Sequence, residues 1–367
     1  MKQAIITDSH FGARNDLPAL QHNMGRFYSE IFFPTLDKHG IKTVLHGGDY
    51  TDRRKYVNYA TARMVFDGYR TPIRERGIHE YIVLGNHDCY LKHTNDINSV
   101  EELCRDDATV TVIKHPVEME IDGCEFLMLP WICDANREDS MRLIQESRAS
   151  VVLGHLQLAG FSMYRGQVNE DGMSAKLFDR FELVMSGHYH HKSQSGPVHY
   201  LGAPYPMTWQ DYRDPRGFHL FDTETHELTF IENPFSIFNR IIYDDQGEKF
   251  DYIEKLVAEI TAPNSPYRET FIKIIVRHKT QPYWFDLLMD ALYKANVLDV
   301  VIMDDIIVND DDTETRTVDE LKQIDTLALI GDYVDSLAIS CDKGDLKAYL
   351  NGLYREAIDA DRSARIS

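Results

Sequence analysis

Five short apolar runs punctuate the first half of the chain: Ala4-Ile5-Ile6, Thr43-Val44-Leu45, Tyr81-Ile82-Val83-Leu84, Val151-Val152-Leu153 and Leu183-Val184-Met185. Most are rich in β-branched residues, and each ends abruptly in a polar or glycine-containing turn. Uninterrupted runs of this length predict strands buried on both faces. Between the early ones, residues 19–36 and 59–76 are long enough for helices. The alternation predicts an α/β architecture rather than an all-β sandwich. Around residues 110–130 and 197–230 the pattern shifts towards hairpins. Val117-Glu118-Met119-Glu120-Ile121 runs into Asp122-Gly123, a pair that favours a tight two-residue turn.

A boundary is expected near Asn233-Pro234-Phe235. Beyond it, residues 240–243 read as a strand, 251–260 as a helix, 270–276 as a strand, 282–295 as a helix and 297–308 as mostly strand. This is a small α+β unit. The acidic stretch Asn309-Asp310-Asp311-Asp312-Thr313-Glu314 then reads as a solvated linker. Two helices are expected to close the chain. Thr317-Val318-Asp319-Glu320 has capping-box form. Leu346, Tyr349, Leu350, Leu353, Tyr354, Ala357 and Ile358 recur at helical spacing on one face. The predicted organisation is therefore 1–235, 236–308, a linker at 309–316, and a helical segment at 317–367.

Candidate chemistry follows each predicted strand. Asp8-Ser9-His10 follows the first run, Gly47-Gly48-Asp49 the second and Gly85-Asn86-His87-Asp88 the third. Gly154-His155 and Gly187-His188-Tyr189-His190 follow the last two. Loops at strand C-termini are where open α/β sheets build their sites. A lone Asp-x-His, or Gly-Asp after a strand, is usually a surface loop or a turn. All five motifs, in order and each at a strand end, point instead to a metal site. Gly-His-x-His on an extended segment would turn both imidazoles to one side. Imidazoles, carboxylates and a carboxamide suit Mn²⁺, Fe²⁺ or Zn²⁺, and the lack of thiolates argues against a structural zinc. The donors exceed what one ion needs. Two ions about 3.5–4 Å apart, bridged by a carboxylate, would use them all. Such a pair supplies a hydroxide nucleophile at neutral pH and clamps phosphate oxygens. No Gly-x-Ser-x-Gly elbow surrounds Ser9, so a serine hydrolase is not supported.

These motifs resemble those of the calcineurin-like metallophosphoesterase superfamily over roughly residues 1–235. The resemblance implies a two-sheet sandwich flanked by helices, which refines the plainer α/β expectation. It also implies that Asp8, His10 and His190 hold one metal ion, that Asn86, His155 and His188 hold the other, and that Asp49 bridges both. His87 would be the histidine that is not a ligand and that stabilises the transition state or protonates the leaving oxygen. Asp88 would orient it by accepting from its other ring nitrogen. Within the superfamily the layout is similar to SbcD-type DNA nucleases, including the recombination nuclease subunits of large phages. Supporting features are the short spacing from Asp8 to Asp49 and Leu201-Gly202-Ala203-Pro204 soon after the last histidines. That likeness implies a metal-dependent DNA exonuclease or endonuclease of recombination and repair, with Mn²⁺ ahead of Mg²⁺, Fe²⁺ or Zn²⁺. It implies a DNA-capping role for 236–308, and an SbcC-type ABC ATPase partner docked on the C-terminal helices. A second copy of the chain is a further partner to consider. Some relatives carry a histidine three residues after the bridging aspartate; Asp52 stands there, so no second catalytic histidine is assigned. The rival readings are a small-molecule or protein phosphoesterase and a non-catalytic scaffold for the ATPase. The C-terminal third argues against the first and the complete ligand set against the second.

Composition adds constraints. In 367 residues, 43% are hydrophobic and 27% charged, enough for a sizeable core. No stretch nears 18 consecutive apolar residues, and the N-terminus lacks a signal-peptide layout, so a cytoplasmic protein is expected, in the host cytoplasm if it is of phage origin. Five scattered cysteines without a C-x-x-C pair read as reduced thiols. The formal charge is −20, unusual for a protein that covers phosphates. Residues 1–235 carry 33 acidic and 24 basic residues and the remainder 26 and 15, so acidity is denser in the last third. Either the partner is not a polyanion, or metal ions and local patches supply the positive field; Arg53-Arg54-Lys55, directly after the Gly-Asp loop, reads as a solvated basic turn or, beside a two-metal site, as a phosphate-backbone contact.

Overall fold

The computed structural model describes residues 1–164 and 166–304, together with Lys343, Gly344, Leu346 and Lys347, which are helical. The expected acidic linker at 309–316 and most of the helical segment at 317–367 lie outside the described residues. Among the described residues, no helix is long and apolar enough to cross a membrane.

The predicted strands form in order. β1 (Lys2–Ile6), β2 (Thr43–His46), β3 (His79–Val83) and β4 (Val110–Ile113) run parallel, each paired with the next. A hairpin follows, β5 (Val117–Ile121) with β6 (Cys124–Leu129). Asp122 and Gly123 take φ of 52° and 80° at its tip, the twist a two-residue hairpin turn requires. β7 (Val151–His155) pairs in parallel with β6. A small hairpin of β8 (Phe161–Tyr164) and β9 (Gln167–Asn169) leads to β10 (Leu183–Gly187), parallel to β7. β11 (Ser193–Ser195), β12 (Val198–Tyr200), β13 (Gly217–Asp222) and β14 (Leu228–Glu232) complete two six-stranded sheets, ordered β14-β13-β1-β2-β3-β4 and β11-β12-β10-β7-β6-β5. The fold is thus mixed α/β with two sheets.

Period-two alternation explains why such short runs suffice. In β1, β2 and β3, Ile5, Leu45 and Val83 join one buried cluster with Phe126, Met128, Leu153 and Met185 of the other sheet. Their neighbours Ile6, Val44 and Ile82 belong to a second cluster with residues of the helical segments on the outer face, among them Met24, Phe27, Leu36, Val65 and Tyr69. Those segments, expected as two simple helices, each carry a π-helical stretch. The first runs Pro18–Arg26, Phe27–Phe32, Phe33–His39, and the second Tyr59–Val65, Phe66–Arg70, Thr71–Glu75. The π stretches bury Phe27, Tyr28, Phe32 and Tyr69 among the core aromatics.

After residue 235 come β15 (Phe238–Asp244), β16 (Phe271–His278) and β17 (Asp299–Asp304), one parallel sheet in that order. Helices Phe250–Thr261 and Pro282–Lys294 contribute Ile253, Ile260, Phe285 and Leu288 to a core shared with Ile241, Ile272 and Ile274. The expected order of strands and helices is there, with the final strand ending at Asp304 among the described residues, but the strands all run parallel, so the unit is of βαβ type rather than α+β.

The outer face hides a charged cluster with no local sequence signal. Arg70 is fully buried. Its guanidinium ion-pairs with Glu80 and donates from Nε and Nη2 to Asp107, at 3.1 and 2.8 Å. Tyr69 also donates to Glu80, at 2.6 Å. Removing one member of a buried ion cluster leaves the others uncompensated, at about 3–5 kcal/mol. Arg70→Met is therefore expected to lower the unfolding free energy by about that amount. Urea denaturation monitored by circular dichroism checks this; a loss below about 1 kcal/mol would show that the cluster is solvated rather than sealed.

Candidate metal centre

The five strand ends from the two sheets converge. Asp8 and His10 come from the loop after β1, Asp49 from that after β2, and Asn86 and His87 from that after β3. His155 closes β7, and His188 and His190 follow β10. Two glycines make this approach possible. A Cβ on Gly48 would lie 2.5 Å from His155 Nδ1, and one on Gly85 would lie 2.2 Å from the Asp49 carboxylate. Gly48 also needs φ of 100°, which glycine adopts freely. Asp8 has φ of 52°, His10 42°, Asp49 51° and His188 91°. Left-handed backbone at four site residues is the kind of strain that persists where the surrounding structure over-determines it.

Two donor sets result. In the first, His10 Nε2 and His190 Nε2 face each other at 3.0 Å, with Asp8 Oδ1 4.0 and 3.9 Å from them. In the second, Asn86 Oδ1 lies 3.1 Å from His155 Nε2 and 2.9 Å from His188 Nδ1. Asp49 Oδ2 stands between the sets, 3.3 Å from His155 Nε2 and 3.6 Å from His10 Nε2. The donor atoms of Asp8, His10 and His190 lie within 4.8 Å of one another, as do those of Asp49, His155 and His188.

The tautomers follow from the partners. Gly47 O, 2.9 Å from His155 Nδ1, can only accept, so Nδ1 carries the proton and Nε2 presents its lone pair to the centre. Asp8 Oδ2 accepts from Thr7 Oγ1 at 2.8 Å, and both its oxygens lie within reach of the His188 N–H, at 3.1 and 3.2 Å.

The charges of the site follow from burial and from its neighbours. Burial disfavours a charged His10, yet the carboxylates of Asp52, Asp49 and Asp8 outweigh it and raise its pKa to about 9. His155 is likewise raised to about 9, burial being outweighed by Asp49 and Asp8. Burial pulls His188 down to about 3 and His190 well below its ordinary value, helped by neighbouring positive rings, so both offer neutral lone pairs. Burial would raise the Asp49 carboxyl, but His155 and His10 hold it well below the usual carboxylate range. The positive charge that the protein's own groups set against these buried carboxylates comes from His10 and His155. Oxygen and imidazole donors around a demand for positive charge fit divalent cations of the Mn²⁺, Fe²⁺ or Zn²⁺ type.

Two expectations need correcting. Asp88 does not orient His87. Its carboxylate accepts from the backbone N–H of Thr51 and of Gly85, both at 2.9 Å, because the turn after β3 aims it inward against two loops. Burial and the charge of Asp49 raise its pKa to about 6. The partner of His87 Nδ1 is instead the backbone carbonyl of Asp52, at 2.6 Å. Nor do His188 and His190 sit on one extended segment. The left-handed backbone of His188 sends its ring to Asn86, while that of His190 meets His10.

Other residues were not singled out by their motifs. Asp52 also places Oδ1 3.3 Å from His10 Nδ1, and donor atoms of His10, Asp52 and His87 form a third close group. Asp52 thus braces both histidines, one through its carboxylate and one through its carbonyl. His46, beside the Gly-Asp turn, accepts at Nδ1 from the Gly48 N–H at 3.2 Å. Its Nε2 lies 2.8 Å from Ser9 Oγ, so it ties two loops together and stays out of the donor sets. Trp131 lies against His188 and His155, ring centroids 5.2 and 6.1 Å apart.

The family of calcineurin-like phosphoesterases matches residues 1–192. Exonuclease subunit 1 of Enterobacteria phage T4 is 30% identical over 329 residues, spanning 87% of this chain and 89% of its own. Among solved structures, an archaeal phosphodiesterase covers 64% of this chain and 100% of its own at 16% identity and a TM-score of 0.32. The Pseudomonas putida nuclease MPE covers 54% and 66%, at 16% identity and a TM-score of 0.27. These structural likenesses are distant, and the assignment rests on the sequence matches together with the site. The chain belongs to the calcineurin-like metallophosphoesterase family.

Proposed function

We propose that this protein is a two-metal-dependent DNA phosphodiesterase, the nuclease subunit of an SbcCD-type ATPase–nuclease complex in DNA recombination, repair and replication. The observation that carries the reading is Asp49 Oδ2, a single carboxylate oxygen within 3.6 Å of a donor nitrogen in each of two sets. Asp8, His10 and His190 would hold one ion and Asn86, His155 and His188 the other, with Asp49 placed to serve both. When bound, the two divalent cations, Mn²⁺ in preference to Mg²⁺, Fe²⁺ or Zn²⁺, provide a nucleophile at neutral pH and offset phosphate charge. Nδ1–H of His87 donates to the Asp52 carbonyl, so, of the two N–H groups of the protonated ring, Nε2–H is the one left to pass its proton to the departing sugar oxygen. Asp49 Oδ1 accepts from the His87 N–H at 2.7 Å, which ties the acid to the bridging residue.

DNA as substrate, and a partner complex, are supported by the phage relative, whose name is exonuclease subunit 1. In this reading residues 1–235 are the nuclease domain, 236–308 cap the DNA, and 317–367 bind an SbcC-type ATPase beyond the linker at 309–316. The ATPase would supply the basic field that a chain of charge −20 lacks. The setting in this reading is the cytoplasm, that of the host if the chain is of phage origin.

With Mn²⁺, the protein is expected to degrade linear DNA. His87→Gln is expected to keep both metals, by elemental analysis, and to lose about 10²–10⁴-fold in rate, the usual worth of a positioned acid–base group. A lost ion would make His87 a ligand instead. Removing residues 313–367 is expected to abolish co-purification with the ATPase while metal-dependent hydrolysis of bis(p-nitrophenyl) phosphate persists. Undiminished ATPase binding would place the partner surface elsewhere.

A further inference from the structure

Beside the centre, on the side of His87, lies a shallow cavity of about 320 Å³ lined by Asp52, Arg53, Arg54, Lys55, Tyr56 and His87. Its lining is cationic and aromatic. Asp52 is its acidic member, and its carboxylate faces His10. Arg53 is already engaged. It ion-pairs with Asp16, which in turn accepts from Thr61 Oγ1. Its guanidinium lies 4.6 Å from the Tyr56 ring centroid, and Nη1 donates to Tyr56 Oη at 3.4 Å. Arg53 thereby holds Tyr56 in place, and the tyrosine remains 62% exposed.

The remaining cations are uncommitted. Lys55 is exposed and makes no hydrogen bond or ion pair among the described residues. Arg54 lines the cavity, and its Nη1 is turned inward, buried with no hydrogen-bond partner among the described residues. A buried guanidinium N–H without an acceptor costs free energy, which the side chain recovers by swinging out onto an anionic ligand. A free cation, an unsatisfied guanidinium and a braced aromatic ring within one cavity suit one ligand chemistry: a phosphodiester oxygen and the base attached to it.

We propose that this cavity is the subsite for the nucleotide on the leaving side of the cleaved bond. Arg54 and Lys55 hold the next phosphate along the strand, and Tyr56 stacks on the base. The side follows from His87, which lines the cavity and faces the departing oxygen. The inference therefore rests on the role given to His87 above. It adds a requirement that the metal centre alone does not impose: an efficient substrate carries a second phosphodiester.

The test compares single-stranded oligonucleotides that carry a neutral methylphosphonate one linkage from the cleaved bond, on the leaving side or on the other side. In the wild-type protein with Mn²⁺, the leaving-side substitution is expected to lower kcat/KM by about 10- to 100-fold, the range for a lost charge-assisted hydrogen bond. Arg54→Gln and Lys55→Gln are each expected to lower kcat/KM on all-phosphate DNA. They should also be nearly insensitive to the leaving-side methylphosphonate. Tyr56→Ala should cost about tenfold, the order expected for one stacked base. Lys55 is exposed, so its variant informs even where Arg54→Gln fails to fold. Losses that simply multiply, or an equal response to the methylphosphonate on the other side, would overturn the subsite. So would turnover of bis(p-nitrophenyl) phosphate, which has no second phosphodiester, as efficient as that of DNA. Absence of hydrolysis of either substrate would instead remove the phosphodiesterase reading on which the subsite rests.

Discussion

Asp8 and Asp49 are buried side by side, 0% and 2% exposed, where two like charges repel and water cannot screen them. Burial raises the Asp8 carboxyl, and the neighbouring charge of Asp49 adds to the rise. Around them the protein sets histidines rather than lysines or arginines. Those rings either accept a proton at some cost in burial or turn a lone pair inward. Much of the surrounding structure can be understood as holding this arrangement until a cation balances it. Gly47 O fixes the tautomer of His155, Thr7 and the His188 N–H hold Asp8, and Asp52 braces His10.

That arrangement demands close approach of backbone from two separate sheets. The core between the sheets, Ile5, Leu45 and Val83 against Leu153 and Met185, sets the distance between the strand ends. The glycines at positions 48 and 85 let the turns meet inside that distance, and left-handed backbone at Asp8, His10, Asp49 and His188 aims the donors. Packing at the sheet interface and geometry at the centre are therefore one problem. A bulky substitution at Gly85 would displace Asp49 as surely as a change at Asp49 itself.

The strands and most of the donors were legible in the sequence, for physical reasons. Runs such as Ala4-Ile5-Ile6 favour burial on both faces, and a polar cluster immediately after a buried run falls where the strand ends. The second sheet was not evident from periodicity and came only through family likeness. The partner of His87 was not legible either, because it is a backbone carbonyl, and every residue has one. Asp88 departs from the role its motif suggests for the converse reason: its carboxylate serves two backbone N–H groups that the motif does not name. The left-handed turn at His188 defeats the alternation that an extended Gly-His-x-His would follow. The buried group of Arg70, Glu80 and Asp107 joins residues distant in sequence, none of which has a local signature.

In the proposed mechanism everything turns on Asp49 lying between two ions. Anomalous diffraction at the manganese edge, from crystals of the wild-type protein and of Asp49→Asn grown with Mn²⁺, tests it most directly. Two peaks about 3.5–4 Å apart are expected in the wild type. One should lie beside Asp8, His10 and His190, the other beside Asn86, His155 and His188, and both should weaken in Asp49→Asn. A single peak, or a second peak held by His10, Asp52 and His87, would contradict it.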